Sequence, residues 1–200
     1  MHKIAVGLTD FMIRGGGVTV DQREACIYGW TLIISAMASL VIILGVGACL
    51  DKLAGALLFV IFLTGLRVYS GGFHALSTTK CFLFSILFYG ISVLLYYIIP
   101  GSVQWYVIFA IIVISGFIVF FLAPMDHPHK PQGLNEKERN QRMSRIVLIL
   151  ETAFILGVGA IRPEMLPHLL WAGLGMATAS LTLLYAFIIK WWKGGKIDAI

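Results

Sequence analysis

The sequence predicts an all-α integral membrane protein: a bundle of about six transmembrane helices with an amphipathic interfacial helix at the N-terminus. Three observations carry that expectation. The 200 residues are 59% hydrophobic and only 12% charged, with a mean hydropathy of +0.91, whereas soluble domains carry roughly 25% charged residues. Apolar runs of membrane-crossing length recur along the whole chain. Counted as six crossings with the N-terminus inside, they place all but Lys52 and Arg162 of the 15 Lys and Arg residues on one side, as the cytoplasmic bias of basic residues requires. Residues 1–200 are therefore read as a single membrane domain, with both termini cytoplasmic and the lipid bilayer as its solvent. No nucleic-acid partner and no cofactor is expected.

The elements follow in order. Residues 1–17 form the amphipathic segment, because Ile4, Leu8, Phe11 and Met12 recur at helical spacing with Lys3, Asp10 and Arg14 elsewhere. They show no cleavage site of signal-peptide type. Gly15-Gly16-Gly17 ends this helix, and Thr19 or Asp21 can cap the next, which runs into the first span. Four spans are plain: residues 29–50, 81–99, 103–123 and 166–189. Two are shorter. The run 53–66 covers only about 21 Å of a hydrocarbon core about 30 Å thick, and 146–161 is nearly as short.

Pro100-Gly101-Ser102 reads as an outer turn. Residues 124–145 form a cytoplasmic loop, first stiffened by Pro124, Pro128 and Pro131, then charged at helical spacing from Asn135 to Arg145. Asp126, His127 and His129 invite a metal reading. Pro128 separates the histidines and no further ligands follow at convincing spacing, so a solvated loop is expected and no metal. Cys26 and Cys49 fall at opposite ends of the first span and read as small apolar filler rather than a disulfide. Gly157 and Gly159 in the fifth span, with Gly173, Gly175, Ala177 and Ala179 in the last, predict that these two spans pack tightly on each other or across a homodimer. Trp191-Trp192-Lys193 reads as an inner interfacial belt.

Chemistry concentrates in residues 67–81, a polar, glycine-bearing island between two apolar runs that faces the cytoplasm. It holds the only close His/Cys pair, His74 and Cys81. A cysteine with an imidazole in reach is the minimum equipment of a thiol nucleophile. On one straight helix the pair would lie roughly 10 Å apart along the axis, too far to cooperate. Ser77, Thr78 or Thr79 can instead start a new helix whose first turn holds Cys81, and Gly71-Gly72 permits the chain to fold His74 back or to present amides to a carbonyl. Against this stands a plainer reading, in which Arg67 and Lys80 anchor at the interface, Gly71-Gly72 is a turn, and His74 and Cys81 are packing residues.

The pattern Arg67-x-x-x-Gly71-Gly72-x-His74-Ala75, then Lys80-Cys81, resembles the accessory gene regulator B family of membrane endopeptidases, which process autoinducing peptide precursors in Gram-positive bacteria. Tyr28-Gly29 at the first span and Glu136 to Arg139 before the last helix pair resemble its layout too. The resemblance implies catalytic roles for His74 and Cys81 and functional roles for Arg67 and Gly72. It implies a short peptide precursor with an internal cysteine as partner, cleavage through an acyl thioester on Cys81, and cyclisation to a thiolactone in a bacterial cell membrane. Glu151, the one carboxylate inside an apolar run, is a functional candidate because intramembrane acids are costly. It could orient His74, pair with Arg67, or reach back toward Arg145 or Lys130, and Asp126 competes for the role of third catalytic group. The rival class is a non-enzymatic peptide transporter or sensor, with the island as a turn lining a path.

Overall fold

The computed structural model describes residues 2–70, 78–125 and 134–192, apart from the side chains of 78–81, 134 and 190. Among the described residues there are only helices and turns. They fall into two compact units, residues 1–46 with 74–89, and residues 47–73 with 90–200.

The first unit holds α1 (His2–Arg14) and α2 (Arg23–Cys49). Ala5 and Thr9 are fully buried while Ile4 and Phe11, on another face, are exposed. That is the two-sided helix the spacing predicts, an apolar stripe turned outward where a membrane surface can cover it. Asp10 pairs with Arg23 at 3.0 Å and the Trp30 indole N–H points at the Met12 sulfur at 3.4 Å. The chain reverses at Gly16, whose φ of +73° favours glycine. A single 3-10 turn, Val20–Gln22, then precedes α2, and Thr19 flanks that turn without a side-chain capping bond.

The second unit carries α3 (Leu53–Ser70), α5 (Gln104–Leu122), α6 (Leu134–Ile161) and α7 (Leu166–Trp192), while α4 (Thr78–Ile98) begins in the first unit and ends here. The short run 53–66 is longer than its apolar residues: the helix continues through Arg67 to Ser70, 18 residues in all, or about 27 Å. Likewise the charged pattern 135–145 and the run 146–161 are one helix of 28 residues. The described chain thus has five helices long and apolar enough to cross a membrane, and α4 contributes the apolar stretch Phe82–Ile98. This is a multi-pass, all-α membrane protein.

α7 uses its small residues, but not where the sequence placed them. It packs chiefly on α3 and α5 and only marginally on α6. A Cβ on Gly175 would overlap the carbonyl oxygen of Phe59 on α3, and Gly173 faces Ile108 and Ile111 of α5. Of the glycines in α6, Gly157 meets nothing within 4 Å, and Gly159 receives the ring of Trp105 from α5. Within the chain, the expected tight pairing of the fifth and last spans gives way to a three-helix contact centred on α7, with Leu169 of α7 beside Gly159 next to the Trp105 ring. Periodicity reveals a face able to approach closely but not which neighbour fills it.

Candidate functional site

The site begins at the end of α3. Arg67 stands half-buried in its last turn, where a cation complements the negative end of the helix dipole. Ser70, the final helical residue, is buried, and its carbonyl accepts the backbone N–H of Met125 at 3.1 Å. That bond ties the chain just beyond α5 to the point from which the island departs, and nothing in the sequence signals it. Gly71, Gly72 and His74 lie outside the described residues. Cys81 is the fourth residue of α4, which starts at Thr78, so its backbone occupies the first turn, as the N-cap candidates predict. Its side chain is outside the description, and so is its relation to His74.

Glu151 lies on the face of α6 turned inward, 9% exposed. Its seat is Gly65 of α3: a Cβ built there would stand 2.9 Å from Glu151 Oε1. A glycine hydrogen occupies that direction instead, which leaves room for the carboxyl against the α3 backbone. The other oxygen, Oε2, is buried with no hydrogen-bond partner. Among the described residues Glu151 has no ion-pair partner, so two expectations are corrected. Arg67 is two positions beyond Gly65, about 200° around α3, and so does not share the face that seats the acid. Arg145 is committed elsewhere, with Nη2 donating to the Phe120 carbonyl at 3.3 Å and the guanidinium carbon 4.2 Å from the centre of the Phe120 ring. Lys130 and Asp126, the remaining candidates near Glu151 or His74, are outside the described residues.

An unpartnered carboxyl two residues short of Arg67 in its neighbour can accept a hydrogen bond from a donor that is not part of this seam. The sequence marked the acid through its isolation in an apolar run. It did not mark Gly65, although a glycine inside a neighbouring span is the signal that something must approach the backbone there. Among the described residues no three His, Cys, Asp or Glu side chains converge as metal ligands, and His127 and His129 lie outside them.

Residues 7–191 match the family described as Accessory gene regulator B. Two chains from Clostridium perfringens that carry provisional AgrB-like names are similar to this one. The first, from strain SM101, is 26% identical over 181 residues, covering 86% of this chain and 79% of its own length. The second, from strain 13, is 28% identical over 143 residues, covering 68% of this chain and 65% of its own length. No solved structure matches the chain. With the family match running through nearly all the described helices, from α1 to α7, the chain belongs to the accessory gene regulator B family.

Proposed function

We infer that the protein is a membrane cysteine endopeptidase that trims the C-terminal tail of a quorum-sensing peptide precursor from the cytoplasmic side of a bacterial membrane. The observation that carries this reading is the Arg67 to Cys81 motif in a member of this family, with Arg67 in the last turn of α3 and Cys81 in the first turn of α4. A helix N-terminus favours an anionic sulfur over a neutral thiol. The one-sided distribution of Lys and Arg supports a cytoplasmic island and cytoplasmic termini.

In this mechanism His74 takes the Cys81 proton as the sulfur adds to a backbone carbonyl of the precursor. Collapse of the adduct breaks the C–N bond, His74 returns the proton to the departing amine, and the tail leaves with a new N-terminus. The acyl group remains as a thioester on Cys81. A thiol within the bound peptide then attacks that thioester, its proton passing to Cys81, so a thiolactone forms and the enzyme thiol is restored. Water would give a linear product instead, so a water-poor site favours the ring. By the family resemblance Gly72 supplies an amide to the oxyanion and Arg67 holds the acidic tail, with Glu151 as a further hydrogen-bond acceptor for the substrate.

The test is cleavage of a co-expressed cognate precursor in membranes. Cys81→Ala and Cys81→Ser each abolish cleavage by at least about a thousandfold while the protein accumulates normally. Cleavage that survives both replacements overturns the assignment, and loss of only the peptide's export would favour a transporter.

A further inference from the structure

α6 has a second functional face. Glu138, Gln141, Arg142, Arg145, Ile146 and Ile149 line an open recess of about 440 Å³. Their spacing puts them on one stripe of the helix, about 130° away from the stripe that buries Ser144, Glu151 and Ile155. Along this stripe the chemistry changes abruptly. Arg142 and Arg145 are followed by Ile146 and Ile149, which are 41% and 64% exposed, and Arg145 is the last basic residue before the apolar half of α6.

Arg145 is held over the Phe120 ring, where it also bonds the Phe120 carbonyl. That leaves its Nε buried with no acceptor. A guanidinium fixed in this way presents its remaining N–H groups in a rigid fork suited to phosphate or carboxylate oxygens. Arg142, one turn nearer the aqueous side, is exposed, and among the described residues neither arginine is paired with a carboxylate.

We propose that this recess binds an anionic glycerophospholipid, its phosphate held between Arg142 and Arg145 and the start of an acyl chain laid along Ile146 and Ile149. One molecule then satisfies both halves of the stripe. An acidic peptide would satisfy the arginines but leave the isoleucines uncovered. Running on toward the start of the helix it would also meet Glu138, four residues and about 6 Å beyond Arg142. The level is right as well: clustered basic residues at the end of a span bind headgroups.

Native mass spectrometry of the full chain in detergent, with phosphatidylglycerol and phosphatidylcholine of identical acyl chains, tests the proposal. Phosphatidylglycerol adducts exceed phosphatidylcholine adducts by about fivefold or more in the unmodified protein, and Arg142→Gln removes most of that preference. Arg145→Lys, which keeps the charge but loses the fork, weakens it by a smaller factor. Because Arg142 is exposed, its variant folds, which thermal unfolding verifies: phosphatidylglycerol raises the unfolding temperature of the parent protein and not of Arg142→Gln. Equal adducts for the two lipids, or an undiminished preference in Arg142→Gln, overturns the proposal. So does an acidic decapeptide that displaces the lipid in an Arg142-dependent manner, which would assign the recess to peptide.

Discussion

The two seams made by α3 differ in what their glycines admit. Against α7, Gly175 admits the backbone of α3 itself, while Gly55 of α3 admits the indole of Trp171, which is 1% exposed and stacks on Tyr96 at 4.8 Å. Lys52 in turn lies over the Tyr96 ring at 5.9 Å. This seam is buried and interlocked. Against α6, Gly65 admits the end of a carboxylate side chain, one of whose oxygens has no partner. The same residue type thus serves close packing on one side of α3 and the accommodation of a costly polar group on the other. The first seam interlocks the helices, and the second leaves a carboxyl oxygen without a hydrogen-bond partner.

The comparison breaks most severely at Gly175. A Cβ there strikes backbone, which cannot swing aside, so Gly175→Ala separates α7 from α3 and destabilises by about 3 kcal/mol or more, read as a large fall in thermal unfolding temperature in detergent. Gly55→Ala comes next. Its Cβ falls 2.5 Å from the Trp171 ring, a side chain but a confined one, so about 2 kcal/mol is expected. Adding Trp171→Leu should recover part of that loss, and a purely additive double variant would show that the two residues do not share a contact.

The smallest stability effect belongs to the α6 seam. Glu151→Gln keeps the shape and exchanges a buried carboxyl for an amide, so the unfolding temperature stays level or rises slightly. Precursor cleavage in the same preparation falls about tenfold or more, because the acceptor is altered. A variant that unfolds early, or one that cleaves normally, would mean that this seam is ordinary packing.

Much of this architecture was legible in advance, for reasons that can be located. Apolar run lengths found the spans, because a membrane imposes them. They placed the end of α3 a turn too early, since Arg67 interrupts the hydropathy but not the helix. The small residues of α7 were read correctly as a close-approach surface and assigned to the wrong neighbour. Which helix fills a glycine's gap depends on three-dimensional neighbours that no periodicity encodes. Glu151 was legible as an expense, but its seat on Gly65 was not, and the grip of Phe120 on Arg145 closed a pairing that charge alone suggested. Within the island, the position of Cys81 at a helix start follows from local capping chemistry, whereas His74 lies outside the described residues.

The bond from the Met125 amide to the Ser70 carbonyl has a corollary. Two polar stretches, far apart in sequence with α4 and α5 between them, set out from a common knot. Because that bond joins two backbones rather than two side chains, no substitution at Ser70 or Met125 that keeps the main chain in place removes it, except proline at 125.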